Sequence, residues 1–280
     1  MSKLKKALQK ASENRAFEGE GQQNIQKEIR REGFDVKKSK VDNDKNEINI
    51  CYSETKVKKI KETILKKGKV ISHFPDVENV DQIKTLRTRI LDYLKTINGN
   101  SFLVTSANPS EGKTFTAINL GVSIAQELKH TVLIVDGDLR KPTKYHKNFS
   151  MDFFGIEVEK GLSDYLLKKS EIHEILINPG IERLVVLPSG KAVPNSAELL
   201  SSPRMEKLAE DIKNRYPTDR IIIFDGSAIL ASADPLILSR YVDGILLVVE
   251  EKRTTIEDIK KTVEMLEDKP LFGTIINKAK

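Results

Sequence analysis

The chain's 280 residues, 39% of them hydrophobic, are enough for one main domain with a substantial core plus an appended segment. Cys51 is the single cysteine, so an intrachain disulfide is excluded, no Cys/His cluster has metal-ligand spacing, and a reducing cytoplasm fits. The net charge of +6 is regional: residues 1–75 hold 19 Lys+Arg against 11 Asp+Glu, a net of +8, which leaves −2 for the remainder.

The amino-terminal MSKLKKALQKASENR places Leu4, Ala7, Leu8 and Ala11 on one helical stripe over residues 3–14, a short docking helix that is marginal alone. It lacks the continuous apolar stretch of a signal peptide, and no run approaches the roughly 20 apolar residues of a membrane span. The reading is therefore cytoplasmic, with any membrane role borrowed from a partner. From Glu18 to about Ser72 the composition is dominated by Lys, Glu, Asp, Asn and Gln, which predicts a linker with at most local structure. Residues 1–75 are thus expected to be a basic extension, mostly disordered or helical, and 76–280 the folded domain. Basic residues near an anionic bilayer are each worth about 1 kcal/mol, so the extension suits a peripheral membrane contact or an acidic partner.

A helix is predicted over 80–96, where Ile83, Leu86, Ile90, Tyr93 and Leu94 recur at helical spacing before Asn98-Gly99-Asn100. Beyond Ser101, β-branched runs alternate with helical segments, the pattern of an α/β domain with a parallel sheet and helices on both faces. Strands are expected at 101–106, 132–135, 183–187, 221–225, 245–249 and 272–276, and helices at about 113–128, 162–169, 196–215, 232–240 and 256–268.

Three strand ends carry chemistry. After the first strand comes Ala107-Asn108-Pro109-Ser110-Glu111-Gly112-Lys113-Thr114-Phe115, then an apolar helical pattern. Such a loop turns backbone N–H groups inward and ends at a helix N-terminus, so unpaired donors and the helix dipole face a polyphosphate. Lys113 reaches the β- and γ-phosphates and Thr114 offers its hydroxyl to Mg²⁺, as in the phosphate-loop pattern, although Ala107 replaces the first glycine. After the second strand, Asp136-Gly137-Asp138-Leu139-Arg140 sends two carboxylates off one sheet edge, one to hold Mg²⁺ and one to accept a proton. The run Ile221-Ile222-Ile223-Phe224-Asp225 ends in the carboxylate of a Walker-B strand. ATP and Mg²⁺ are the implied ligands.

With these residues in place the sequence resembles the bacterial tyrosine kinase family, whose cytosolic domain couples a phosphate loop to an Asp-x-Asp cluster. The resemblance runs through Asp136 to Pro142, Gly161-Leu162-Ser163-Asp164, Leu187-Pro188-Ser189-Gly190, Pro194 to Leu200 and Tyr241-Val242-Asp243-Gly244, covering about residues 78–278. It implies that Lys113 and Thr114 bind ATP·Mg, that Asp136 is the base for a tyrosine hydroxyl, that Asp138 and Asp225 manage Mg²⁺ and that Arg140 stabilises phosphate charge. It further implies regulation of exopolysaccharide or capsule synthesis and export with a separate membrane-embedded activator, no direct contact with nucleic acid, and a homo-oligomer. The family's oligomerisation pattern, Glu-x-x-Arg-x-x-Arg, aligns with Asp81, Lys84 and Arg87, and Asn277 takes the place of an adenine-reading asparagine in related ATPases.

Two departures bear on activity. Asp225-Gly226-Ser227-Ala228 stands where the family has Asp-x-Pro-Pro, which is expected to alter the loop beside the metal. The six tyrosines are scattered at 52, 93, 145, 165, 216 and 241, and no terminal tyrosine cluster follows the last strand, so tail autophosphorylation is not expected. Two rival functions follow: a non-kinase ATPase switch of the cell-division or plasmid-partition type, and a nucleotide-binding scaffold. The switch ATPases carry a signature lysine early in the phosphate loop, where this chain has Asn108.

Overall fold

The computed structural model describes residues 55–140, 149–214, 220–266 and 269–279. The predicted helix at 3–14, most of the predicted linker and Tyr52, Tyr145 and Tyr216 lie outside these residues. No helix among those described is long and apolar enough to cross a membrane.

One eight-stranded sheet has the order β1-β4-β5-β3-β6-β2-β7-β8. Its central strands are β2 (Ser101–Ser106), β3 (Thr131–Asp136), β6 (Arg220–Ala228) and β7 (Gly244–Glu250), flanked by β5 (Leu184–Leu187) and β8 (Leu271–Asn277). All of these neighbours pair in parallel. Beyond β5, the two-residue β4 (Ile177–Asn178) runs antiparallel to it, and β1 (Lys56–Val57) pairs in parallel with β4. The sheet is therefore mixed at one edge rather than wholly parallel.

β2, β3 and β5 are buried along their whole length, which is why they read as continuous apolar runs rather than alternating ones. Phe102, Val104, Ile134, Ile223, Leu246 and Val248 fill the core on one face, and Leu103, Leu133, Val135, Ile222, Phe224 and Ile245 fill it on the other. Each face has its helices, as expected. The first takes α2 (Val80–Thr96) through Ile90 and Leu94 and α3 (Lys113–Ala125) through Ile118, Leu120 and Val122. The second takes α8 (Pro203–Asn214) through Met205 and Leu208.

The single helix expected over 196–215 is two, α7 (Ser196–Leu200) and α8. Pro203 has no N–H to continue a helical ladder and is suited to a first turn, where the Ser202 hydroxyl accepts from the Met205 N–H at 3.3 Å.

The boundary expected at residue 75 lies too late. β1, the helix α1 (Glu62–Lys67) and a 3₁₀ turn at Ile71–His73 belong to the folded unit, with Leu65 and Val70 buried in the core. The Lys58 N–H donates to the Asn178 carbonyl at 2.8 Å, and Asn119 of α3 accepts from the Ser72 N–H and donates to the Lys69 carbonyl. Alternating lysines with sparse apolar residues made this stretch read as linker. Its few apolar side chains are the ones inserted.

The remaining described helices are α4 (Phe149–Phe154), α5 (Leu162–Leu166), α6 (Ile172–Ile175), α9 (Asp234–Leu238) and α10 (Ile256–Met265).

Candidate functional site

The carboxyl ends of β2, β3 and β6 bring together the three predicted clusters, because these strands are neighbours in the sheet. Asp136 and Asp225 are register partners on β3 and β6. The loop after β2 enters α3 through Gly112, whose φ of +99° requires glycine, and Lys113 and Thr114 open the helix.

Side chains behind the loop hold it in shape. Glu111 is fully buried; its carboxylate accepts from the Asn108 N–H at 2.9 Å and from Thr254 Oγ1 at 2.5 Å. Thr254 precedes α10, and Asp258 in that helix accepts from Asn108 Nδ2 at 3.1 Å. The Asn277 amide donates to the Glu111 carbonyl at 2.8 Å, and Lys278 Nζ donates to the Ser110 carbonyl at 3.0 Å and to Glu250 at 2.9 Å. Asn277, expected to read an adenine edge, thus gives one amide N–H to the loop backbone. Ala107, in the place of the first glycine, is fully buried, and its carbonyl accepts from the Leu230 N–H at 3.1 Å. Pro109 and Ser110 are exposed, and Phe115 is half-buried in the first turn of α3.

The acidic residues sit in a steep electrostatic gradient. Asp136 is buried, and desolvation, the Asp225 charge and the Asp138 charge push its carboxyl up to about 8 against hydrogen bonds from the Ser189 hydroxyl and the Asp138 N–H. Asp225 is pushed up to about 6 by burial and Asp138, while the Lys113 ammonium and the Thr114 hydroxyl pull it down. Its Oδ1 atom is buried with no hydrogen-bond partner. Among the described residues no three acidic side chains are grouped closely enough to hold a metal by themselves, but a buried carboxylate oxygen without a donor, next to the Thr114 hydroxyl, is what a hard divalent cation would relieve, so Asp225 and Thr114 fit Mg²⁺ that completes its shell from phosphate.

Arg140 lies over this cluster. Its Nε is 3.4 Å from Asp138 Oδ1 and 3.8 Å from Asp234 Oδ2, and its Nη1 donates to the Ala231 carbonyl at 3.1 Å. Asp234, buried at the first position of α9, was not singled out in the sequence because a lone Asp before Pro235 reads as a helix start.

Other motifs prove to be supports. The Leu162 and Ser163 N–H groups donate to the Pro188 and Ser189 carbonyls, and Ser163 Oγ donates to the Lys191 carbonyl at 2.7 Å, so Gly161–Asp164 and Leu187–Gly190 form one unit that delivers Ser189 to Asp136. Asp243 lies at the other end of the strands, accepting from the N–H groups of Asn100 and Ser101, from Ser101 Oγ and from Lys213 Nζ. Burial pushes the Asp243 carboxyl up, but those hydrogen bonds outweigh it and hold it below the ordinary carboxylate range.

The Asp225-Gly226-Ser227-Ala228 departure forms no altered loop. It continues β6 as strand, with Thr105 Oγ1 donating to the Ser227 carbonyl at 2.6 Å. Of the aligned oligomerisation residues, Asp81 and Lys84 pair with each other at 2.9 Å. Arg87 turns into its own chain, 2.8 Å from Glu127 and donating to the Ser123 carbonyl at 2.9 Å.

Comparison with known proteins places this geometry. The AAA domain family model matches residues 108–270. The tyrosine-protein kinase YwqD of Bacillus subtilis is 40% identical over 205 residues, which are 72% of this chain and 82% of that one. The chain belongs to the bacterial tyrosine kinase family. Within that family it is 30% identical over 200 residues to the tyrosine-protein kinase etk of Escherichia coli, but this match spans only 26% of etk. The solved kinase domain of Escherichia coli ETK superposes with a TM-score of 0.67 at 28% identity, covering 75% of this chain and 82% of that domain. The shared fold accounts for the mostly parallel sheet with helices on both faces.

Proposed function

We propose that this chain is an ATP-dependent protein-tyrosine kinase module that acts at the cytoplasmic face of the membrane, beside a separate membrane-embedded activator, to regulate exopolysaccharide or capsule synthesis and export. The observation that supports it most is the convergence of Lys113, Thr114, Asp136, Asp138 and Asp225 at neighbouring strand ends, with Asp225 Oδ1 buried and unpartnered.

In this reading the loop N–H groups from Ser110 to Thr114 and the Lys113 ammonium hold the triphosphate, and Thr114, Asp138 and Asp225 would hold Mg²⁺. Held there, the cation would supply neutralisation of developing phosphate charge and would lower the proton affinity of nearby carboxylates. Asp136 takes the proton of the tyrosine hydroxyl as the phenolic oxygen bonds to the γ-phosphorus and the bond from that phosphorus to the β,γ-bridging oxygen breaks, releasing ADP. Arg140 swings from Asp138 to the transferred group.

A cell-division-type switch fits less well. Asn108 occupies the place of the signature lysine, and its amide is committed to Asp258 in the same chain.

The test is incubation with labelled ATP, Mg²⁺ and a tyrosine-containing acceptor or activator fragment. Label on tyrosine that disappears in Lys113→Met and Asp136→Asn is expected. Phosphate release without protein label would replace the kinase with a switch, and neither product would leave a scaffold.

A further inference from the structure

The positive charge of this protein is concentrated on a folded surface rather than spread along its amino-terminal arm. Residues 55–75 hold seven lysines, Lys56, Lys58, Lys59, Lys61, Lys66, Lys67 and Lys69, against the single acid Glu62, a net of +6. The whole chain is also +6, so every other residue together sums to zero; residues 1–54, with 12 basic and 10 acidic residues, contribute only +2.

All seven lysines are exposed. The backbone beneath them is fixed: β1 is the end strand of the sheet, and Leu65 and Val70 anchor α1 and the following turn in the core. Among the described residues none of the seven ammonium groups lies within ion-pairing distance of a carboxylate. The contacts they make are weak, from Lys56 and Lys58 to the Glu174 and Glu157 carbonyls at 3.4 Å and from Lys66 to the Phe74 ring at 5.0 Å. Two apolar side chains, Val57 and Ile64, stand exposed among them at 49% and 37%.

We infer that this lysine-rich segment, from β1 through α1 to Lys69, is a docking surface for an anionic lipid bilayer. The inference goes beyond the proposed kinase function and does not depend on it. The residue types favour lipid over a structured acidic partner. The segment has no arginine, whose planar fork suits fixed bidentate pairs, whereas lysine is a point charge on a flexible stem that follows mobile headgroups. A cluster of this size next to short apolar side chains is the composition that binds the surface of anionic membranes, with Val57 and Ile64 able to enter the headgroup layer. β1, which carries Lys56, lies at the sheet edge opposite β8, with four strands between it and β2, the strand that leads into the phosphate loop.

Co-sedimentation of the full chain with vesicles tests the inference. Binding is expected to vesicles of phosphatidylcholine with about one-third phosphatidylglycerol, to be absent with phosphatidylcholine alone, and to be lost on raising salt from roughly 50 to 500 mM. The variant K59S/K61S/K66S/K67S is expected to bind at least about tenfold more weakly, since each lysine contributes roughly fivefold. K3S/K5S/K6S/K10S, which removes the same charge from the arm, is expected to retain most of the binding. Magnesium-dependent ATP affinity, measured on the same preparations, should be unchanged in both variants, which separates loss of docking from loss of fold and from failure of the kinase reading. Equal vesicle binding by wild type and the segment variant, loss confined to the arm variant, absence of vesicle binding altogether, or capture by polyglutamate under conditions where vesicles are ignored would each overturn the inference.

Discussion

Thr254 donates its hydroxyl to the buried carboxylate of Glu111 at 2.5 Å across 143 positions of sequence, joining the segment before α10 to the interior of the phosphate loop. The other carboxylate oxygen takes the Asn108 N–H, so the loop's shape depends on a side chain far from it in sequence. Replacing Thr254 with Val removes one donor from a buried charged group. The expected result is a loss of about 1–3 kcal/mol in stability and several-fold weaker ATP binding, read by thermal melting and calorimetry. Thr254→Ser, which keeps the hydroxyl, should restore most of both.

Gly112 carries a second constraint on the same loop. A Cβ there would meet Asn277 Nδ2 at 2.0 Å, at a φ of +99° that side chains rarely adopt. Gly112→Ala is expected to cost at least about 1 kcal/mol of stability and to reduce nucleotide affinity by tenfold or more. Adding Asn277→Ala should recover part of the stability by removing the clash but none of the lost loop contact, a non-additivity that a double-mutant cycle would detect.

Asp136 gives the pH dependence. Its carboxyl is raised from 3.8 to about 8 in the folded chain, chiefly by burial, so the folded state keeps a proton that the unfolded state releases. Its contribution to stability is therefore fully present below pH about 4 and is lost as pH rises through about 8. Asp225 acts in the same sense up to about 6. The melting temperature of metal-free protein should fall between pH 5 and pH 8.5. Asp136→Asn should flatten that fall and melt higher than wild type by roughly 4 °C or more at pH 8. A variant that melts lower than wild type at pH 8 would remove burial of the charge as the cause.

Much of this site was legible because parallel strands buried on both sides leave continuous apolar runs, and their ends are where chemistry collects. The predicted strand at 101–106 is β2 to the residue, and Lys113, Asp136 and Asp225 meet because β2, β6 and β3 are neighbours. Residues that act across long sequence distances left no local signal. Nothing local marks Glu111 as the partner of Asn108 and Thr254, or Ser189 as the partner of Asp136, since only the fold brings them together. The stretch 56–74 was misread for a related reason: two buried apolar residues among seven lysines cannot form a periodic pattern, yet they suffice when a finished sheet offers an edge.

Arg87 separates self-assembly from internal packing. Its guanidinium is only partly exposed and is held by Glu127 and the Ser123 carbonyl. Arg87→Ala is expected to lower stability by about 1–2 kcal/mol. Asp81→Ala and Lys84→Ala remove an exposed pair and should change it by less than about 0.5 kcal/mol. Chemical denaturation ranks the three, and sedimentation velocity on the same samples reads any change in assembly independently of folding.

The backing of the phosphate loop by Asn277 and Lys278 has a consequence for biogenesis. On a translating ribosome, the glycine and lysine that cradle the nucleotide emerge some 165 positions before the amide that braces them. ATP capture by a nascent chain should therefore switch on only after residue 278 has cleared the exit tunnel.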